Sequence, residues 1–320
     1  MKSILITGAA GMLGTAIIDV LRDNFAIIAT DIEQGWSPKK VQWNIIDLLD
    51  NGELKRLLKE KRPDIVIHCA AIVNVDTCEK SPALAQALHA GSTSSIAGLI
   101  NEWQGKLIYI STDSVFNGQK REPYIEQDRV DPPNIYAVTK RAGEIEALKF
   151  RNNVVLRTNI FGWSRAERTS FAEWVIKGLV LSEKLRLFAD VTYTPIHVYH
   201  FANIIKQVIE KNIRGLYHAG GKSVISKYGF GIKVADIFNL SSDNIISGSV
   251  DNAGLNALRP KNMAISSQLL QNEHGISAPT VDTGIALLKE QYDTGWVSTI
   301  KGRTTKKQYR FWETSDECTD

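Results

Sequence analysis

The chain has 320 residues, 43% of them hydrophobic and 23% charged, proportions that exclude a disordered chain or a fibre. Thirty-eight Lys plus Arg against 35 Asp plus Glu leave a net charge of +3, without the basic footprint of a nucleic-acid binder. The three cysteines, Cys69, Cys78 and Cys318, fit neither a disulfide framework nor a paired metal site, and a reducing cytoplasm is the expected compartment.

The run Ile4-Leu5-Ile6 is too short for a signal-peptide core, and no later apolar run reaches the length of a membrane span. Residues 2–7 read as a buried strand and 25–31 as another, and between them Met12, Leu13, Ala16, Ile17, Val20 and Leu21 recur at helical spacing. The β-α-β pattern then repeats: 41–47 extended, 53–62 helical, 64–71 an apolar strand, 83–103 helical, 106–111 a strand. Such alternation predicts an α/β fold with a doubly wound, Rossmann-like parallel sheet.

A proline-containing loop at 117–133 leads to a helix over 134–150 and a strand over 154–157. Beyond it the alternation weakens. Helices are expected at 171–181, 199–211, 227–238 and 283–290, with short extended pieces at 185–188 and 216–219. The division that follows places a dinucleotide-binding domain at 1–159 and about 185–222, and a smaller mixed α/β substrate-binding region at about 160–184 and 223–300. The tail, 301–320, mixes Lys301, Arg303, Lys306, Lys307 and Arg310 with Tyr309, Phe311 and Trp312. It reads either as an anion-binding or partner-binding segment or as a solvated terminus.

Between the first strand and first helix stands Gly8-Ala9-Ala10-Gly11-Met12-Leu13-Gly14. The first glycine permits the tight turn, the second lets backbone N–H groups approach a pyrophosphate at the helix N-terminus, and the third allows close helix packing. Asp31 ends the second strand twenty residues after Gly11, where a carboxylate can accept from the ribose hydroxyls and would repel a 2′-phosphate. NADH is therefore the expected cofactor, with NADPH tolerated. Asp47 either accepts from the adenine amino group or caps the next helix, and Leu48 beside it is placed in the cofactor site.

Tyr136 and Lys140 lie at i and i+4 on one helix face. A neighbouring cation favours the phenolate, so the pair is expected to exchange a proton with a substrate oxygen near neutrality. Ser111-Thr112-Asp113 ends the fifth strand, where open α/β sheets place ligands. Thr112 is the candidate to hydrogen-bond the carbonyl oxygen that Tyr136 protonates, with Ser111 the competing candidate.

With these residues in view the sequence resembles an extended short-chain dehydrogenase/reductase, and more narrowly the dTDP-4-dehydrorhamnose reductase family. The resemblance runs from Met1 to about Ser267. It is carried by the glycine turn, Pro63-Asp64-Ile65-Val66-Ile67-His68-Cys69-Ala70-Ala71, Ser111-Thr112-Asp113-Ser114-Val115-Phe116-Asn117-Gly118, the Tyr136–Lys140 pair, Leu156-Arg157-Thr158, Gly215-Leu216-Tyr217-His218 and Arg259-Pro260-Lys261-Asn262. It implies NAD(P)H-dependent reduction of the 4-keto group of a nucleotide-linked 6-deoxyhexose, with Thr112, Tyr136 and Lys140 as the catalytic triad. It also implies that Ala70 and Ala71 line the nicotinamide ribose, that Val115 and Phe116 border the sugar, and that Arg259 and Asn262 face the substrate diphosphate. Ser114 stands where the family usually has tyrosine, His89 where it typically has asparagine, and His200 where it commonly has aspartate.

Gly220-Gly221-Lys222-Ser223 lacks the earlier glycine of a P-loop, because Leu216 stands there. The six histidines show no metal spacing, His197 and His200 being three apart, and no metal is expected. Related epimerising reductases use a Cys and His pair, and the only cysteine after Cys78 is Cys318, so simple reduction is expected. One branch resembling this family regulates S-adenosylmethionine synthetase and gives the alternative reading, a non-catalytic nucleotide-binding subunit; another is a reductase of a differently linked nucleotide sugar. A homodimer is the default assembly.

Overall fold

The computed structural model describes residues 1–165, 169–254 and 257–302. Its first half alternates strand and helix: β1 (Ser3–Thr7), α1 (Met12–Leu21), β2 (Ala26–Asp31), β3 (Val41–Ile45), α2 (Asn51–Lys61), β4 (Ile65–His68), α3 (Val75–Lys80), α4 (Pro82–Gln86), a π-helical turn at Ala87–Gly91, α5 (Ser92–Asn101), β5 (Lys106–Thr112), α6 (Ile135–Leu148) and β6 (Val154–Thr158). Then follow β7 (Ile160–Phe161), α7 (Phe171–Val180), β8 (Leu185–Phe188), β9 (Thr192–Tyr193), β10 (Ile196–His197), α8 (Val198–Glu210), β11 (Gly215–His218), β12 (Ile225–Ser226), α9 (Lys227–Phe238), β13 (Ile245–Gly248), α10 (Gln268–His274), α11 (Val281–Asp293) and α12 (Trp296–Ile300).

Seven strands form one sheet in the order β11-β6-β5-β4-β1-β2-β3, and every pairing within it is parallel. Both faces are covered, so β4, β5 and β6 are buried at every residue, the signature of a doubly wound sheet. Alternation along β1 feeds two cores. Ile4 and Ile6 pack with α1 and α8, whereas Leu5 packs with Leu54, Leu57 and Leu58 of α2 and with Ile96 and Ile100 of α5. A third core joins α7, β8, α9 and α11 in the second lobe.

Side-chain caps fix where the helices begin. Asp50 accepts from the amides of Gly52 and Glu53 to open α2, Asn134 accepts from Ala137 to open α6, and Ser170 with Glu173 closes a capping box on α7.

Two expectations change. The helix expected over 83–103 begins at Pro82 and passes through the π turn, which 3.6-residue periodicity does not reveal. Of the 185–222 piece expected in the nucleotide-binding domain, β11 joins the large sheet but β8 pairs with β13, and Leu185 and Leu187 lie in the second-lobe core. The tail beyond residue 302, with Cys318, lies outside the described residues. Among those residues no helix is long and apolar enough to cross a membrane.

Candidate active site

The glycine turn is shaped by close approach. Gly8 has φ +65°, and a Cβ there would stand 2.6 Å from the backbone nitrogen of Ala70, so the turn and the loop after β4 touch through bare backbone. A Cβ on Gly14 would meet Gly8 O and Ala9 Cα at 2.5 Å or less, which seats α1 directly on β1. Gly11 is the N-cap of α1 and supplies no side-chain cap. The first amides of the helix, Met12, Leu13 and Gly14, are thus left for an anion, and the cradle fits a pyrophosphate.

Asp31 turns its carboxylate into this cradle, accepting from the amide of Ala10 at 2.9 Å and from that of Ile32 at 2.8 Å. Asp47 accepts from the amide of Leu49 at 2.9 Å, and the cap of α2 is Asp50 instead, so the capping alternative for Asp47 does not hold. Leu48 is 7% exposed and belongs to the sheet core. Ala70 and Ala71 are half-buried at the carboxyl end of β4.

At the end of β5 the two hydroxyl candidates part company. Ser111 Oγ donates to Glu144 Oε1 at 2.6 Å, behind the sheet end. Thr112 Oγ1 accepts from the amide of Ser114 at 3.1 Å and lies near enough to Tyr136 for its hydroxyl to favour the ionised phenol. Thr112 is therefore the residue that meets the tyrosine.

Burial pushes the Tyr136 phenol up to about 12, against the neighbouring Thr112 hydroxyl that pulls it down. The expected phenolate is thus corrected: Lys140 does not lower the phenol. Its Nζ donates to Ile110 O at 2.6 Å and lies 4.2 Å from the Tyr109 ring centroid. Burial brings this ammonium down to about 8, with Glu144 and Cys69 opposing. The arrangement holds a protonated phenol beside a hydroxyl, with a poised lysine one turn along.

Two supports were not legible in the sequence. His89, from the π turn, accepts from the amide of Ile72 and faces Tyr136 edge-on with ring centroids 5.8 Å apart. Behind the site Arg157 grips Glu144 through two 2.8 Å bonds while Arg141 reaches the same carboxylate at 2.6 Å.

Other expected residues sit differently. Val115 and Phe116 are fully buried in a small core where Phe116 stacks on Tyr124 with centroids 4.1 Å apart. Asn262 donates to Lys120 O at 2.7 Å and Glu122 O at 3.0 Å, and accepts from Thr192 Oγ1 at 3.1 Å, so its amide fastens loops together. Arg259 reaches Asp76 at 3.5 Å, but its buried Nη1 has no partner. Among the described residues no cluster of His, Cys, Asp and Glu could hold a metal ion.

The parallel sheet, the glycine turn and the hydroxyl-bearing strand end define a Rossmann-like α/β protein of the extended short-chain dehydrogenase/reductase type. The chain belongs to the family described as the RmlD substrate binding domain, whose model matches residues 1–293. It is 26% identical over 292 residues to the probable low-salt glycan biosynthesis reductase Agl14 of Haloferax volcanii, covering 90% of this chain and 97% of that one. It is 30% identical over 250 residues to methionine adenosyltransferase 2 subunit beta of Xenopus laevis, covering 75% and 73%. A crystal structure of dTDP-4-dehydrorhamnose reductase from Bacillus anthracis in complex with NADP superimposes with a TM-score of 0.80 at 27% identity, covering 91% of this chain and all of that one.

Proposed function

We propose that the protein is an NAD(P)H-dependent reductase of the 4-keto group of a nucleotide-linked 6-deoxyhexose, with dTDP-4-dehydro-L-rhamnose as the leading substrate. The observation that carries this reading is the meeting of Thr112, at the end of β5, with the Tyr136 phenol, with Lys140 one turn further along α6. Similarity to the Bacillus anthracis reductase supports the substrate class.

A phenol that keeps its proton at neutral pH is a donor, which suits reduction. Thr112 and Tyr136 together would bind the keto oxygen, and Tyr136 would give up its proton as negative charge builds on that oxygen. Lys140 is anchored on Ile110 O, and its role would be to bind the nicotinamide ribose rather than to ionise the phenol. The nicotinamide, when bound, supplies the hydride. Gly8, Ala10, Gly11, Met12, Leu13 and Gly14 would hold its pyrophosphate, Asp31 its adenosine ribose, and Ala70 and Ala71 its nicotinamide ribose, with Asp47 and Leu48 toward the adenine. The Asp31 carboxylate favours NADH over NADPH. Arg259, with an unpartnered nitrogen, suits the substrate diphosphate.

The test is loss of NADH or NADPH absorbance with dTDP-4-dehydro-6-deoxy-L-mannose generated in situ, on the wild type and Tyr136→Phe. Turnover that vanishes in the variant while NADH still binds is the expected result. The similarity to methionine adenosyltransferase 2 subunit beta supports a second reading, a nucleotide-binding regulatory subunit. Cofactor binding without reduction of any nucleotide ketosugar, together with stable association with a methionine adenosyltransferase, would select it.

A further inference from the structure

Lys227 opens α9, directly after β12, and its amide donates to Val191 O at 3.0 Å. That bond and the antiparallel pairing of Ile225 with Tyr193 set its side chain against β9. Nζ stands 3.4 Å from the Tyr193 ring centroid and 4.6 Å from that of Phe171. Two ring faces stabilise the cation but offer its N–H groups no acceptor in the plane of a lone pair. Among the described residues Nζ has neither a hydrogen bond nor an ion pair, although Lys227 is partly exposed.

The groups around it are similarly unfinished. Tyr193 is 2% exposed and its hydroxyl is buried without a partner, an arrangement that costs free energy unless something accepts from it. Asp113, 1% exposed, is the negative charge that favours the ammonium, but no ion pair joins the two. The Asp113 carboxylate accepts instead from Asn159 at 2.6 Å and from Thr112 and Ser114 at 3.2 Å each. Asp113 is also the chain neighbour of Thr112, so this polar cluster adjoins the strand end that carries Thr112.

Charge decides what fits. The ammonium and the carboxylate sum to zero, so a phosphate drawn to Lys227 would meet Asp113 in repulsion. A neutral hydroxyl can accept from the ammonium and donate to the carboxylate at once. We propose that Lys227 is a sugar-recognition residue, binding with Tyr193 and Asp113 a ring hydroxyl of the hexose whose keto group meets Thr112 and Tyr136. The assignment rests on the nucleotide-ketosugar reading above.

Lys227→Met keeps the length and volume while removing the charge and donors, and Tyr193→Phe removes only the orphan hydroxyl. The measurement is calorimetric binding of dTDP-L-rhamnose, and of dTDP alone, to the NADH-saturated full chain. Loss of a charged hydrogen bond predicts about 10-fold to 100-fold weaker binding of dTDP-L-rhamnose by Lys227→Met, with dTDP affinity held within about twofold and a matching rise in KM with the 4-ketosugar. Tyr193→Phe, which covers the event that Lys227→Met does not fold, predicts about 3-fold to 10-fold weaker binding of the sugar nucleotide alone. If the variants bind dTDP-L-rhamnose as the wild type does, or if dTDP binding weakens equally, the proposal is overturned while the reductase reading stands. If the wild type binds none of dTDP-L-rhamnose, UDP-glucose and GDP-mannose and reduces no ketosugar, that reading fails and the proposal falls with it.

Discussion

His89 Nε2 accepts a hydrogen bond from the amide of Ile72 at 2.9 Å, tying the π turn to the loop that follows β4. Because that nitrogen is an acceptor, the proton of the neutral ring sits on Nδ1, 2.8 Å from Thr139 Oγ1 on the helix that carries Tyr136. One buried side chain thus sets the distance between the helix carrying Tyr136 and the loop carrying Ala70 and Ala71.

Replacing His89 with leucine leaves the Ile72 amide and the Thr139 hydroxyl without this partner. Thr139 Oγ1 still donates to Ile135 O or Tyr136 O, so the expected cost is about 1–3 kcal/mol for the Ile72 amide, read as a lower urea midpoint. His89→Asn can still accept from Ile72 and should recover part of the loss. Equal midpoints for leucine and wild type would show that the bridge contributes nothing.

Acid should weaken the fold earlier than carboxylates alone would dictate. Burial pushes the rings of His68, His89, His197 and His218 down to about 3, from an ordinary value of 6.5. Between pH 6.5 and 3 the unfolded chain therefore binds more protons than the folded one, so stability rises with pH across that window and is lost as pH falls through it. Urea midpoints are expected to drop from pH 7 to pH 5. A flat profile would mean that these rings carry charge inside the fold.

The sheet was legible because parallel strands buried on both faces read as apolar runs, as in Ile65–His68, and because Gly8 to Gly14 can only be a turn pressed against backbone. The site was legible at Tyr136 and Lys140, which share one helix face. Ser111 and Thr112 could not be ranked without Glu144, a helix residue that takes the serine hydroxyl. Tyr193 and Lys227 carry no local pattern, since they meet only because β12 pairs with β9. Asn262 had the right neighbours in sequence, yet its amide fastens the 120–122 loop, a contact that spacing does not encode. Likewise the phenol of Tyr136 responds to burial, which no i,i+4 rule measures.

Glu144 and Arg157 are 0% and 2% exposed, and removing one partner strands a charge. Burial opposes ionisation of Glu144, but bonds from Arg157, Ser111 and Arg141 hold its carboxyl below the usual range. Glu144→Ala is expected to cost about 3–5 kcal/mol, and pairing Glu144→Leu with Arg157→Met to restore much of it. The same contacts separate the two hydroxyls. Ser111→Ala should lower stability by about 1.5–3 kcal/mol for a bond to a charged acceptor and spare the KM for ketosugar, whereas Thr112→Val should lower kcat/KM and spare the melting temperature. A reversal of those effects would assign substrate contact to Ser111.

The two glycines of the turn should fail in different ways when each is changed to alanine. At Gly8 the backbone has φ +65°, and a methyl would sit 2.6 Å from Ala70 N and 2.8 Å from Ala70 Cα. Left-handed backbone alone costs a non-glycine residue about 1–2 kcal/mol, and the clash with backbone cannot be relieved by a rotamer change, so Gly8→Ala should lower the melting temperature. At Gly11 the φ is −73° and the nearest atom to a new methyl is Gly8 O at 3.2 Å, so the fold should tolerate alanine. In the proposed cofactor mode that methyl would stand where a pyrophosphate would approach the first amides of α1. Gly11→Ala should therefore melt close to wild type while binding NADH at least about tenfold more weakly, a loss of about 1.4 kcal/mol, as fluorescence titration can read. Unchanged NADH affinity in a folded Gly11→Ala protein would remove the pyrophosphate from this turn and with it the cofactor geometry on which Tyr136 and Lys140 depend.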